Sequence, residues 1–485
     1  MLKKILKKDS IIKDIVGYIP SKIVPALVGI LTVSIYTRLL TPEDYGLYSL
    51  VTTTVSIITS IIFGWINNSG MRYYQMYKEE GNEESFLSTS FWAIILLFLI
   101  VLLVFFAFFS LFENELLSLL KIGIFIVLVQ ELYKFFIIII RARRNSLKYS
   151  IYSSALSIFK LILATTVLYF TDMGVKGLLI SIIISTTVFV LLELYLYIKL
   201  SKIKFLISKE ILNRVFKYGI PLIGVSVAGL ILSVADRYMI QYYLGEKAVG
   251  IYSAGYRIAE IGIQNIFKIL MLAAFPVIIK KYVKHGEKSA ANMIKKFLDY
   301  YFLILIPAVF GIWALSKDIV NVLLGDQFAE AYTLLPWVAV GVFALGLTQY
   351  VNKPFELKER TKGLFFLLLF SCITNIVLNI YFIPCFGIIG AAYSTLVSYS
   401  SYLLISSIIS SNFFSLKISF TTFFKSLLSS VIMFFLIRGL ILFDLEYNII
   451  LIFIKVILGI IVYSISLIIL REKNIIKLIS KERIT

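Results

Sequence analysis

Blocks of about twenty apolar residues recur along the whole of this 485-residue sequence, and stretches such as 86–112 and 447–470 are apolar on every face. A hydrocarbon bilayer gives backbone amides no partner, so only segments that close their own hydrogen bonds can cross it. Barrel strands would be about ten residues of alternating polarity, which these blocks are not, and helices are the remaining solution. The 60% apolar composition and mean hydropathy of +0.93 agree with an all-α integral membrane protein rather than a water-soluble domain.

Hydropathy places spans near 15–38, 45–67, 86–112, 116–140, 150–171, 174–198, 215–241 and 248–276, then near 297–316, 331–351, 363–384, 386–410, 420–442 and 447–470. That is an expectation of 14 transmembrane helices. A missed span would scramble the alternation of basic and non-basic connections downstream of it. Basic connections are the amino-terminal tail (Lys3, Lys4, Lys7, Lys8, Lys13), Arg141 to Lys148, Lys199 to Lys217, Lys280 to Lys296, Lys353 to Lys362, and the tail from Arg471 to Arg483. The opposite connections are short and acid-leaning, with Glu113, Glu115, Asp172, Glu246, Asp326, Glu330, Asp444 and Glu446. The weakest votes are the mixed 67–85 loop and the 410–419 loop with its single Lys417. The alternation predicts a multi-pass protein of the cytoplasmic (cell) membrane with both termini cytoplasmic. No small-residue cleavage site follows the basic start, so the first span is expected to be retained. The net charge of +19 is accounted for by basic loops on one membrane face, and no nucleic-acid partner is expected.

An internal repeat is visible. EDYGLYS at Glu43 to Ser49 is echoed by EKAVGIYS at Glu246 to Ser253, and GVKGLLIS at Gly174 to Ser181 by GIIGAAYS at Gly387 to Ser394. Each pair falls at corresponding places in the span count. Six spans per copy is an even number, so the copies enter the membrane in the same direction as a parallel repeat. The expected architecture is two six-helix lobes around a central cavity plus two extra C-terminal helices: an N-lobe over 1–198, a cytoplasmic linker over 199–214, a C-lobe over 215–410, and spans 13 and 14 with the tail over 411–485. The GxxG sequences at Gly174 and Gly387 bear no lysine and read as close helix packing rather than phosphate loops.

Charged side chains inside spans cost roughly 2.5 to 3.5 kcal/mol each, so they should face a cavity or one another. In the eighth span Arg257, Glu260, Gln264 and Lys268 are spaced three, four and four, which puts them on one helix face, with Asn265 at its margin. The seventh carries Asp236 and Arg237, with Pro221 near its start, and the first carries Lys22 between Pro20 and Pro25, then Arg38. A cavity lined by Arg257, Lys22, Arg38, Arg237, Lys268 and Gln264 suits an acidic headgroup, since guanidinium groups grip phosphate oxygens bidentately. The bland reading pairs Arg257 with Glu260 and lets Arg38 and Arg237 snorkel. Glu260, Asp236 and Glu131 are the ion-coupling candidates. Gln130, Glu131, Lys134, Lys160 and Glu193 read as an ion-pair network packing the first lobe, against a proton or cation relay, and Arg438 and Lys455 as snorkelling.

Catalytic constellations are not legible. The single histidine, His285, has no cysteine or histidine beside it, and Cys372 and Cys385 are not spaced as metal ligands, so no enzyme, metal or cofactor is expected. No connection is long enough to house the aqueous chemistry of a polymerase or ligase.

Three segments carry a resemblance: YTRLLTPEDYGLYSL at Tyr36 to Leu50, ADRYMIQYYLGEKAVGIYSAGYRIAE at Ala235 to Glu260, and NIVLNIYFIPCFGIIGAAYSTLVSY at Asn375 to Tyr399. They resemble the bacterial polysaccharide transporters, or O-antigen (Wzx-type) flippases, of the multidrug/oligosaccharidyl-lipid/polysaccharide exporter superfamily. The resemblance implies alternating access, with a polyprenyl-diphosphate-linked oligosaccharide carried from the cytoplasmic to the outer leaflet. It also implies a proton or sodium ion as the drive, with membrane lipid around the prenyl tail. Polysaccharide polymerases or glycosyltransferases acting on the same carrier are the expected protein partners. The alternatives are a peptidoglycan lipid-precursor flippase and a multidrug exporter of the same superfamily.

Overall fold

The computed structural model describes residues 17–109, 114–200, 202–416, 418–441, 449–474 and 476, apart from the side chains of Phe109, Pro221, Leu222, Thr361, Leu440 and Ile441. The five amino-terminal lysines, Glu113, Lys417, Asp444, Glu446, Lys477, Lys481 and Arg483 lie outside the described residues. The described residues form α-helices and one 3-10 turn, with no strand. Twelve helices among them are long and apolar enough to span a membrane. They divide into two compact units, Met1–Gly250 and Ile251–Thr485.

The first unit opens with α1 (Pro20–Leu39) and α2 (Pro42–Ile62). The start of α2 is encoded locally: Thr41 caps it by accepting from the Asp44 amide at 3.2 Å, and Pro42 occupies the first turn, where a missing N–H costs nothing. After Phe63 the chain re-enters a helix, α3 (Gly64–Glu79), which replaces most of the loop expected over 67–85. Its apolar stripe of Tyr73, Tyr74 and Tyr77 is buried while its other face is polar, so a span-length hydropathy window passes over it. Gly81, with φ 75°, ends the turn into α4 (Glu83–Phe109). Leu103 and Phe108 of α4 are 71% and 68% exposed, as side chains facing lipid would be.

Next come α5 (Glu115–Ala142), α6 (Ser146–Phe170) and α7 (Gly174–Lys199); α5 and α7 contribute Val127 and Leu179 to one core with Val51, Val55, Phe86 and Ile94, while α6 packs on α1 and α7. Residues 202–208, within the expected linker, lie along the start of α4. The Lys204 amide donates to Ser88 Oγ at 2.8 Å, and Lys202 Nζ meets Glu83 at 3.0 Å.

The helical element α8 runs from Lys209 to Ala314. At 1.5 Å per residue an unbroken helix of that length would run about 160 Å. Gly245 (φ 81°) and Gly286 (φ 72°) sit in the left-handed region, where a right-handed helix is interrupted. Its first stretch packs on α2 and α3. Thr54 and Tyr238 share a hydrogen bond of 2.6 Å, and Arg72 lies 4.5 Å over the Tyr218 ring. The repeat glycines meet here: a Cβ on Gly46 would collide with the Glu246 carbonyl, and one on Gly250 with the Pro42 carbonyl. A side chain at either position would push two backbones apart.

The second unit holds the rest of α8, then α9 (Ser316–Leu323), the 3-10 turn Asp326–Thr333, α10 (Leu335–Val351), α11 (Lys353–Leu357), α12 (Thr361–Phe386) and α13 (Ile388–Ser411). It closes with α14 (Phe420–Ile441) and α15 (Ile449–Ile469). The last two pack on each other and, through Met433, Ile437, Tyr463 and Leu467, on Leu303, Ala314 and Leu315. Lys455 is not at a surface: it is buried and meets Asp318 Oδ2 at 2.8 Å, correcting the snorkelling expectation. A carboxylate across the helix interface removes the need to reach water. Arg438 is exposed and lies 5.7 Å from the Phe434 ring.

The hairpins α6–α7 and α12–α13 are built alike. Gly174 (φ 52°) and Gly387 (φ 62°) make the turns, and Gly177 and Gly390, one helical turn later, stand where a Cβ would press on the preceding helix. Ser181 and Ser185 donate to the carbonyls of Gly177 and Ser181 at 2.8 and 2.6 Å, as Ser394 and Ser398 do to those of Gly390 and Ser394 at 3.0 and 2.6 Å. The second sequence echo is thus one packing device used twice.

Candidate functional site

The four polar residues on the α8 face in the second unit form a continuous hydrogen-bonded row. Arg257 Nη1 donates to Glu260 Oε2 at 2.8 Å, Gln264 Nε2 donates to Glu260 Oε1 at 3.1 Å, and Lys268 Nζ donates to Gln264 Oε1. The helix period creates this row, since steps of three and four residues return to one face. Asn265 turns its amide to the Ile261 carbonyl at 3.0 Å and stands outside it. The Arg257 side chain is 51% exposed and that of Glu260 18%, so the guanidinium has donors left for an incoming anion while the carboxylate fixes its direction.

The remaining predicted residues belong to the first unit. Arg38 Nη1 donates to the Ser34 carbonyl and Arg237 Nη1 to the Ser233 carbonyl, each at 3.0 Å and each one turn back on its own helix. Asp236 is 2% exposed, and its Oδ1 lies 3.7 Å from Arg237. Lys22 is exposed on α1 and makes no ion pair among the described residues. Glu131 is fully buried in α5, accepting from Lys134 Nζ at 2.6 Å and from Asn67 Nδ2 of α3 at 2.7 Å. Lys134 also reaches Thr59 Oγ1 at 3.3 Å, so the pair bridges both sides of the α2–α3 break at Phe63.

Sequence reasoning grouped Glu131 with Glu193. The structure gives Glu193 a separate partner, Lys148 of α6, at 2.6 Å. Lys148 had entered only as a topology marker. The signal that could have found it is its place one turn into a helix whose neighbour carries a carboxylate at the same depth. Lys160 has no ion pair among the described residues.

With only helices and twelve candidate spans among the described residues, and an ordered polar row inside one of those spans, this is a multi-pass membrane protein. Its sequence matches the family described as polysaccharide biosynthesis protein over residues 11–282, more than half of the chain, and the protein belongs to that family. A MatE family pattern also matches residues 221–381. Among curated relatives, the chain is 25% identical over 280 residues to a protein of Haloferax volcanii named as a probable low-salt glycan biosynthesis flippase, Agl15. That match covers 55% of this chain and 58% of the relative. It is 25% identical over 319 residues to the succinoglycan biosynthesis transport protein ExoT of Rhizobium meliloti, covering 65% of this chain and 61% of that one. The matches thus span about three fifths of those relatives' own lengths. Among solved structures, the fold is similar to the lipid II flippase MurJ in an inward closed conformation, with a TM-score of 0.77 at 18% identity over 93% of this chain and 98% of that one. It is also similar to an inward-facing multidrug resistance MATE family transporter of the MOP superfamily, with a TM-score of 0.67 at 14% identity over 81% and 97%.

Proposed function

We propose that the protein carries a polyprenyl-diphosphate-linked oligosaccharide from the cytoplasmic to the outer leaflet of the cell membrane by alternating access, for surface polysaccharide biosynthesis. The observation that carries this reading is the Arg257–Glu260–Gln264–Lys268 row, an anion-receptive polar strip inside a span of a polysaccharide biosynthesis family member. The relatives named for glycan flipping and succinoglycan transport support the same substrate class. Arg257 takes the diphosphate, with Lys268, Gln264, Lys22, Arg38 and Arg237 as the further lining. Glu260 carries the coupling proton or sodium ion, with Asp236 and Glu131 as the other candidates.

The reading includes fourteen spans, supported by the interruptions at Gly245 and Gly286 inside the long α8, and two six-helix lobes followed by α14 and α15. The repeated hairpins favour the parallel duplication. Both termini are cytoplasmic in this reading, on the positive-inside distribution. The protein acts without catalytic chemistry of its own, supplying flipped units to polymerases or glycosyltransferases.

A second reading, the flipping of a peptidoglycan lipid precursor, is favoured by the TM-score of 0.77 to MurJ. The test is flipping of a fluorescent polyprenyl-diphosphate oligosaccharide in proteoliposomes by wild type, Arg257→Ala and Glu260→Gln at matched insertion. Transport by wild type that both variants lose supports the proposal. A wild type that flips only the peptidoglycan precursor replaces it with the second reading, and one that extrudes small cations instead places the chain with the multidrug exporters.

A further inference from the structure

The turn between α5 and α6 contains a second concentration of cationic side chains that the row on α8 does not use. An open cavity of about 610 Å³ lies within the first unit, lined by Tyr18, Gln75, Lys78, Glu79, Arg141 and Arg144 among others. The volume is in the range that holds a small-molecule headgroup. Its frame is fixed. The Gln75 amide donates to the Ala142 carbonyl, tying α3 to the end of α5, and Tyr18 packs edge-on against Tyr149 at 5.2 Å.

Arg143 also lines the cavity and already has partners of its own. It donates to Glu83 Oε1 at 2.7 Å and to the Tyr74 hydroxyl at 2.6 Å, and lies 5.1 Å from the Tyr197 ring. Burial first, and the hydrogen bond to Glu83 with it, pushes the Tyr74 hydroxyl up to about 12 against the pull of Arg143, so it remains a neutral donor to that carboxylate.

Of the nearby carboxylates, Glu83 is taken by Arg143 and Lys202, Glu84 by Lys204 and Glu193 by Lys148, while Glu80 follows Glu79 at the end of α3 without lining the cavity. Lys78, Arg141 and Arg144 are exposed and make no ion pair among the described residues, leaving three cations around the single carboxylate of Glu79. Arg144 moreover holds φ at 55°, the left-handed position after a helix end that glycine occupies without strain. An arginine kept there at a conformational cost points to a use for its side chain.

The corresponding turn of the second unit sharpens the point. Glu359 has φ 58°, and a cavity of about 550 Å³ is lined by Glu359, Arg360 and Lys362. There Arg360 lies over the Phe413 ring at 4.7 Å and Lys358 pairs with Glu287 at 2.6 Å. The fold repeats the turn, while the larger surplus of cations without an ion pair is in the first copy, three around Glu79 against Arg360 and Lys362 around Glu359.

We infer that the cavity formed by Lys78, Arg141 and Arg144 binds the phosphate group of a lipid whose headgroup lies at this membrane face. On the orientation proposed above this is the cytoplasmic leaflet. The phosphate comes either from a bulk anionic phospholipid or from the diphosphate of the lipid-linked substrate waiting to enter. Guanidinium groups clamp such oxygens bidentately, and basic pockets at this level attract anionic headgroups.

The experiment is native mass spectrometry of the full-length protein released from nanodiscs of mixed phosphatidylglycerol and phosphatidylcholine. Wild type is compared with Arg144→Gly and with Lys78→Gln/Arg141→Gln, and transport is not required for the readout. Wild type should retain phosphatidylglycerol over phosphatidylcholine, and each variant should lose that preference by roughly tenfold, the scale of a lost charge-assisted contact. Arg144→Gly relieves the strained turn, so it should melt no earlier than wild type while losing the lipid. Displacement of phosphatidylglycerol by added polyprenyl diphosphate, but not by inorganic pyrophosphate, assigns the site to the substrate; retention against both assigns it to bulk lipid, and either outcome upholds the site. Equal retention of the two phospholipids by wild type, or an unchanged preference in both variants, overturns it, whatever the flipping assay gives.

Discussion

In the first unit Glu131 is held from two directions, by Lys134 one turn along α5 and by Asn67 from α3, and Glu193 of α7 is held by Lys148 of α6. In the second unit Glu260 binds Arg257 and Gln264, all on the same face of α8. The first arrangement joins helices. In lipid, where apolar contact between helices brings little solvent-driven gain, interhelical polar bonds of this kind act as fasteners. The second arrangement leaves the half-exposed Arg257 free to exchange partners without separating two helices. A buried carboxylate bonded from a second helix thus reads as packing, and a row along one helix with an exposed guanidinium as a receptive surface.

Four substitutions would break or sharpen that contrast. Arg257→Ala should lower flipping in proteoliposomes by about a hundredfold, on the order of 2.7 kcal/mol, while its melting temperature in detergent stays close to wild type. A large drop in melting temperature would make the row structural. Glu131→Ala should show the opposite pattern, losing about 1–3 kcal/mol of stability by thermal unfolding with transport per folded molecule nearly retained. That range sits below the loss for a fully buried pair because the Lys134 side chain is 43% exposed. Glu260→Gln keeps the shape and one acceptor but removes the charge. It should slow flipping by about tenfold, roughly 1.4 kcal/mol, and flatten its dependence on an imposed proton gradient; an unaltered gradient dependence would move coupling to Asp236 or Glu131. The smallest effect belongs to Lys148→Met/Glu193→Leu, which exchanges an ion pair for apolar groups of similar size and should change stability by less than about 1 kcal/mol. Loss of transport in that double variant, with stability intact, would place the first unit's pairs in the mechanism.

Much of this was legible in the sequence. The start of α2 is written in Thr41, Pro42 and Asp44, and the row on α8 in the spacing of Arg257, Glu260, Gln264 and Lys268, because a cap and a helix face both follow from neighbours within about one turn of each other. The echo GVKGLLIS/GIIGAAYS could be recognised as a repeat. Its two glycines in each copy serve different ends, a left-handed turn at Gly174 and Gly387 and close packing at Gly177 and Gly390, and that division required coordinates. The helix α3 was misread as loop, since a half-polar helix beside a span looks like a connection to any hydropathy average.

The sequence by itself determined that the chain is helical and membrane-spanning, where most spans begin and end, and which polar residues share a helix face. Those properties are local, fixed by runs of apolar residues and by a 3.6-residue period. Only the tertiary structure decided that Gly46 lies against Glu246, that Lys455 answers Asp318, that Glu193 takes Lys148, and that Lys78, Arg141 and Arg144 surround one cavity. Each of those pairs residues from different helices. Which helix faces which, and at what depth, depends on the shapes of two surfaces at once, and no window along a single chain contains both.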